Sequence, residues 1–278
     1  MTGTLVVKFG GELLEDASRL GAVVGAITGI AARGLPLVIV HGGGREIDAA
    51  LKVAGIAKQQ VDGLRITDEP TLDVVVSVLA GVVNTRFVAA LNTAGVRAVG
   101  LTGADGGCGR SEAAPPHHAV DGRVVDLGRV GIPTDAADVS VVHTLAGAGF
   151  VPVVASIGLG SDGRLFNVNA DTFAGHLAAH LGARRLVIAG TTAGVLDGDG
   201  ATIPVVDVEA VSRLIDSGTA TAGMIAKLRA CTDAIAGGVG DVLIVDGRDA
   251  AALEAAAVDT APGAATRLVP APLPAGRP

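Results

Sequence analysis

The chain is expected to be α/β: a three-layer α/β/α sandwich around a mainly parallel central sheet. Three observations predict this. Short β-branched or apolar runs alternate with longer helical patterns, as in 4–7 before 12–33 and 37–40 before 46–57. The run at 37–40 is unbroken by polar residues, which suits a strand buried on both faces. Two strands end in glycines, one in Lys8-Phe9-Gly10-Gly11 and the other in His41-Gly42-Gly43-Gly44.

Taken in order, strand 4–7 leads through Lys8 and two glycines into helix 12–33, and Gly34-Leu35-Pro36 turns the chain into strand 37–40. Helix 46–57 carries Ile47, Leu51 and Ala54 at helical spacing. A strand that runs into glycines and then a helix is either a plain tight turn or an anion site. In the second case it offers bare backbone N–H groups beside the positive end of a helix. Two such junctions would reach the same sheet edge, where ligands of open α/β sheets bind. One of them carries an ammonium, Lys8, in a chain whose lysines are Lys8, Lys52, Lys58 and Lys227. Neither has the Walker A spacing, and neither matches the dinucleotide fingerprint.

Asp62 to Asp68 reads as a loop, followed by an apolar helix at 70–94 that Asp68 or Thr67 caps, with Pro70 in its first turn. Arg65, just ahead of it, either grips a carboxylate with its planar fork or pairs with a neighbouring acid. Residues 97–101 are a third strand. Residues 103–118 form a loop whose His117-His118 pair reads as solvated, not chelating. A hairpin is expected on Asp121-Gly122, then a helix at 138–148 and a buried strand at 150–155. Asn167-Val168-Asn169-Ala170-Asp171 precedes an Ala-rich helix at 172–181. Asp171 is of the residue type that commonly caps such a helix, yet the cluster holds more polar groups than capping needs, so its role stays open. Next come a strand at 185–189, a loop at 190–200 and a helix at 208–216. A small-residue loop at 219–223 leads into helix 224–236 with Lys227 in its first turn, and 241–245 is the last strand. From Thr260 the Pro- and Ala-rich chain is expected to fray.

Composition narrows the function. Among 278 residues, 49% are hydrophobic but only 2% aromatic, without Trp or Tyr, which disfavours base-stacking platforms. A net charge of −7 argues against nucleic acid and anionic membranes as partners. No basic leader precedes an apolar core, and no uninterrupted apolar run of spanning length is expected. Cys108 and Cys231 lack metal-site spacing and read as buried or free thiols of a reducing cytoplasm.

Several motifs together resemble the amino-acid kinase family, and within it the acetylglutamate branch. They are Val7-Lys8-Phe9-Gly10-Gly11, His41-Gly42-Gly43-Gly44 and Gly63-Leu64-Arg65-Ile66-Thr67-Asp68. Leu127-Gly128-Arg129-Val130-Gly131, Asn167-Val168-Asn169-Ala170-Asp171 and Gly223-Met224-Ile225-Ala226-Lys227 continue the series. The resemblance covers about 4–268. It implies that the γ-phosphoryl group of ATP moves to the side-chain carboxylate of N-acetyl-L-glutamate, a step of arginine biosynthesis. Mg²⁺ would come with ATP, held by phosphates and water, with no protein metal site. Lys8 and Lys227 would be catalytic, oriented by Asp171. Gly42, Gly43, Arg65 and Asn167 would bind the substrate, Gly10, Gly11 and Gly44 would cradle phosphate, and the amides of Gly10, Gly11, Gly42 and Gly43 would act as oxyanion donors. Nucleotide would meet Thr191, Thr192, Gly194, Leu196, Thr219 and Thr221, where relatives often carry Asp-Val in place of Thr191-Thr192.

The resemblance also implies a substrate lobe over 1–175 and an ATP lobe over 176–268, whereas the Pro-rich stretch 269–278 runs past the usual family end and is expected to be a disordered tail. The partners would be small molecules, with no nucleic acid and no membrane. A cytoplasmic homodimer would pair through the apolar helix at 70–94, with its excess of apolar surface between Val74 and Val83. Residues 1–3 alone precede the first strand. The extra N-terminal helix of arginine-inhibited, hexameric relatives is therefore expected to be missing, and arginine is expected to have no effect. The competing readings are a kinase for N-succinylglutamate or a carrier-linked aminoadipate, and a non-catalytic ligand sensor of the same fold.

Overall fold

The computed structural model of the chain describes residues 3–216, 222–258 and 263–270. Its middle layer is an eight-stranded sheet. In chain order the strands are β1 (Leu5–Phe9), β2 (Leu37–His41), β3 (Ala98–Thr102), β4 (Val151–Ala155), β5 (Arg185–Gly190), β6 (Val205–Asp207), β7 (Val242–Asp246) and β8 (Ala265–Val269). In space they run β6-β8-β7-β5-β1-β2-β4-β3. All neighbours are parallel except β8, which is antiparallel to β7. β1 lies inside the sheet, with Lys8 in register between Ile188 of β5 and Val40 of β2.

Helices cover both faces: α1 (Ala17–Ala31), α2 (Gly44–Val53), α3 (Glu69–Thr93), α4 (Ser140–Gly147), α5 (Ala170–His180), α6 (Val208–Asp216), α7 (Ala222–Ala236) and α8 (Ala250–Ala257). Successive strand side chains point to opposite faces and so build two cores. Leu5, Val7, Phe9 and Ile39 pack with residues of α1, α3 and α8. Val6, Val38, Val40 and Ile188 pack with residues of α5 and α7. The same period of two puts Lys8 on the Val6 side, toward α5 and α7. This is the expected α/β/α sandwich.

A second sheet of four short strands stands beside it, in the order Ile157–Leu159, Leu165–Val168, Val130–Pro133, Ser111–Ala113. Two hairpins, Gln60–Val61 with Leu64–Arg65 and His117–His118 with Val124–Val125, share a small core of Val61, Ala119 and Leu127. Neither the second sheet nor the first hairpin was expected from sequence. The second hairpin turns at Asp121-Gly122 as expected, and Gly122 has φ 86°. His117 is not merely solvated, because its Nε2 meets Asp62 Oδ2 at 2.8 Å.

Several expectations need correction. Helix 12–33 is interrupted: a short turn at Gly11–Leu13 precedes α1, whose cap Asp16 accepts from Arg19 N at 2.8 Å. For α3 the cap is Asp68, accepting from Thr71 N at 2.9 Å. Asp171 does not cap α5. Asn169 does, its Oδ1 accepting from the N–H groups of Asp171 and Thr172 at 2.9 and 3.1 Å. Lys227 falls in the second turn of α7, which begins at Ala222. The chain past Thr260 does not simply fray: β8 closes onto β7, burying Thr266 and Leu268. Of the expected tail, Val269 ends β8, and 271–278 lie outside the described residues.

No uninterrupted apolar run of spanning length occurs in α3, because Asp73, Asn84 and Arg86 break it. The helix has 25 residues, and its most apolar 18-residue stretch has a mean hydropathy of 2.0, enough by length and composition alone to cross a membrane. Here its Val75, Val83, Phe87 and Leu91 are fully buried against the sheet. A π-helical stretch at Ser77–Val83 interrupts it. Such a stretch adds a residue to the turn and rotates the rest of the helix about its axis, a feature common at functional sites.

Candidate active site

The carboxyl ends of β1 and β2 open onto a cleft of about 300 Å³. Its wall includes Lys8, Gly10, Gly11, Glu12, Gly42, Gly43, Gly44, Arg65, Asn167 and Asp171. Nine of the residues that sequence assigned to the site thus meet in one cavity, delivered by two strand-to-glycine junctions, a hairpin and the entry to α5.

The two glycine loops touch. A Cβ on Gly11 would lie 2.7 Å from the Cα of Gly43, so only glycine lets the loops close to this distance. Their amides are not equivalent, and here the expected oxyanion donors are corrected. Gly10 N–H already donates to Ala189 O at 3.1 Å, and Gly42 N–H to Phe9 O at 3.3 Å. These bonds carry the sheet pattern one residue past the strands. The amides of Gly11, Gly43 and Gly44 have no acceptor among the described residues. Gly44 opens α2, so its N–H belongs to the positive end of that helix.

At the floor, Lys8 Nζ stands 2.8 Å from Asp171 Oδ1 and Lys227 Nζ 3.5 Å from the same oxygen. Lys8 and Asp171 are 6% and 8% exposed, so three ionisable groups meet almost out of water. Burial works against ionisation of Asp171, but Lys8 and then Lys227 outweigh it and hold its carboxyl below the usual range. Burial, followed by repulsion from Lys8, pushes the Lys227 ammonium below the usual lysine range, while Asp171 pulls it back up. Close helix packing brings this group together. A Cβ on Gly175 of α5 would lie 2.7 Å from the carbonyl oxygen of Ala230 of α7, so the glycine sets how near Lys227 comes to Asp171.

Arg65 Nη2 donates to Asp48 Oδ1 at 2.5 Å and to Gly44 O at 3.3 Å. Its Nη1 is buried without a hydrogen-bond partner. Of the two readings left open by sequence, the acid partner is therefore present, and one edge of the guanidinium still faces an unmet need. Asn167 donates from Nδ2 to Thr67 Oγ1 at 3.1 Å. Beneath the glycines, burial pulls the His41 imidazole down to about 4, so it is neutral. Asn84, which directly follows the π-helical stretch, places its Nδ2 2.9 Å from His41 Nε2 and donates to Val153 O at 2.8 Å.

The remaining assigned residues lie outside the cleft. Thr191, Thr192, Gly194 and Leu196 follow β5 at the same sheet edge, half-buried apart from buried Gly194 and exposed Leu196. Lys227 borders this loop, since its Nζ would lie 3.7 Å from a Cβ on Gly190. Thr219 and Thr221 lie outside the described residues. Sequence reasoning missed Glu12, Asp48, Thr67, Ser156 and Asn169. Asn169 was visible within its polar cluster, whereas Asp48 and Thr67 gain meaning only from partners 17 and 100 positions away.

A model of the amino acid kinase family matches residues 3–246. A protein named acetylglutamate kinase from Acidiphilium cryptum (strain JF-5) is 44% identical over 250 residues, covering 88% of this chain and 83% of that one. Its namesake from Granulibacter bethesdensis (strain ATCC BAA-1260 / CGDNIH1) is 42% identical over 254 residues, covering 88% and 83%. The solved structure of smu.665 from Streptococcus mutans UA159 superposes with a TM-score of 0.79 at 27% identity, covering 96% of this chain and 98% of that one.

Proposed function

The chain belongs to the amino acid kinase family, and we propose that its cleft transfers the γ-phosphoryl group of ATP to the side-chain carboxylate of N-acetyl-L-glutamate. The product is an acyl phosphate, formed as a step of arginine biosynthesis. Relatives named acetylglutamate kinase at 44% and 42% identity support the substrate. The observation that carries the chemistry is the pair of lysines held on one buried oxygen of Asp171 beside the glycine loops.

A carboxylate is already a deprotonated nucleophile, so the site needs no general base. What opposes the reaction is the approach of two anions, and phosphoryl transfer is served mainly by positioning and charge stabilisation. Lys8, in the cleft, and Lys227, between the cleft and the loop after β5, supply positive charge on either side of the transferring group. Asp171 holds the two ammonium groups together where they would otherwise repel, and it favours the charged form of Lys227. The unpartnered amides of Gly11, Gly43 and Gly44 receive phosphoryl oxygens. Arg65 offers its free Nη1 edge to the substrate α-carboxylate, while Asp48 holds the guanidinium in place. Asn167, steadied by Thr67, binds the α-substituents.

Every residue of the cleft wall falls between Lys8 and Asp171. That supports 1–175 as the acyl-amino-acid lobe and 176–268, with Thr191, Thr192, Gly194, Leu196, Thr219 and Thr221, as the nucleotide lobe. Mg²⁺ fits as a companion of the nucleotide. Of the two carboxylates that line the cleft, Glu12 and Asp171, the second is committed to lysines, so phosphate oxygens and water are the ion's main ligands. When bound, it neutralises phosphate charge. Two buried free thiols, Cys108 and Cys231, are consistent with a cytoplasmic protein. Partly exposed apolar residues on α3 support a homodimer.

Hydroxylamine converts an acyl phosphate to a hydroxamate. With ATP, Mg²⁺ and N-acetyl-L-glutamate the enzyme should accumulate hydroxamate in step with ADP. ADP release without hydroxamate would mean that the acceptor is not a carboxylate.

A further inference from the structure

A second cavity of about 470 Å³ lies farther along α5 and shares no lining residue with the cleft. Asp135, His176, His180 and Asp233 are in its wall. His176 and His180 are four positions apart on α5, which places them on one side of the helix, and their ring centroids are 4.0 Å apart. Asp135 comes from the turn that follows strand Val130–Pro133. One ligand atom from each of Asp135, His176 and His180 lies within 4.8 Å of the others.

Both rings are held by backbone carbonyls. His176 Nε2 is 3.0 Å from Thr134 O, and His180 Nδ1 is 3.1 Å from His176 O. A carbonyl only accepts, so these two nitrogens carry the protons. In the neutral rings, His176 Nδ1 and His180 Nε2 then hold the lone pairs. Metal-binding histidines are oriented in the same way, with the second ring nitrogen donating to a carbonyl or carboxylate.

We propose that Asp135, His176 and His180 form a site for a divalent transition cation of the Zn²⁺ type, with water completing a tetrahedral shell. Two imidazoles and one carboxylate match Zn²⁺ chemistry, whereas Mg²⁺ and Ca²⁺ take oxygen ligands. The site is separate from phosphoryl transfer and from the Mg²⁺ that accompanies nucleotide. A bound ion clasps the second sheet to α5. Both structures flank the cleft, since Val130 pairs with Asn167 and Asp171 lies in the first turn of α5.

The test is calorimetric titration of the untagged full chain with Zn²⁺ in millimolar Mg²⁺, paired with thermal unfolding. The expected result is one Zn²⁺ per chain and a raised Tm. Asp135→Asn and His180→Gln should each weaken binding by at least about tenfold, the scale on which even ligand-supporting partners act. The double variant should unfold at the same temperature with and without Zn²⁺. Either single variant suffices if the other is misfolded by circular dichroism. Absence of binding, affinity unchanged in the variants, or displacement by millimolar Mg²⁺ would each overturn the assignment.

Discussion

One oxygen of Asp171 meets two ammonium groups, and this sharing has a consequence in pH. Lys227 sits below the ordinary lysine range because of burial and Lys8, and Asp171 acts in the opposite direction. Asp171→Asn removes the upward pull, so the pKa of Lys227 falls further and its proton leaves at lower pH. We expect kcat to drop and the alkaline limb of the kcat/KM profile to move toward neutrality. An unmoved limb would show that the carboxylate does not keep Lys227 charged. Arg65 sets a different parameter. Arg65→Lys keeps the charge but loses the planar fork that reaches Asp48 and the ligand together, so KM for N-acetyl-L-glutamate should rise while KM for ATP stays near wild type. A defect confined to ATP would place Arg65 in the other half of the site. Lys8, Arg65, Asp171 and Lys227 stood out in the sequence because lysine is scarce and each lies within a recognisable motif. Sequence could not decide whether an acid already occupied Arg65, since Asp48 reaches it across a tertiary contact.

Secondary structure positions these groups chiefly through close backbone approach. Gly175→Ala would drive a methyl group against the Ala230 carbonyl and force α5 and α7 apart. Overpacking of this kind costs about 1–3 kcal/mol. We expect a lower Tm together with a kcat loss larger than any change in KM, as Lys227 is drawn away from Asp171. Loss of stability with kcat intact would separate helix packing from catalysis. Strands β1 and β2 could be read directly, because an apolar run that stops at glycines is a local pattern. β8 could not. Its Pro- and Ala-rich surroundings suggest fraying, and only pairing with β7 makes 265–269 a strand. The cap of α5 could not be settled from sequence for a related reason. Asp171 is an excellent capping residue type, yet Asn169 takes that role and leaves the carboxylate for the lysines.

At the scale of the whole molecule, α3 has more apolar surface than the sheet covers. Only 39% of its most apolar stretch is buried, and Val82 is 56% exposed. A two-fold pairing through this helix would cover the remainder. Light scattering should give twice the 27.2 kDa chain mass, and Val82→Glu should shift it toward the monomer with the fold intact. A wild-type monomer or hexamer would contradict that assembly. The cleft, with Lys8 in its wall, Lys227 beside it and one half-free guanidinium, is proposed to phosphorylate an acylated amino acid. The most direct test of that activity is a coupled ADP-release assay that compares kcat/KM for N-acetyl-L-glutamate, N-succinylglutamate and free glutamate. The highest value is expected for the acetyl substrate and the lowest for free glutamate. ADP release that ignores the acyl group, or none with any of the three, would contradict it.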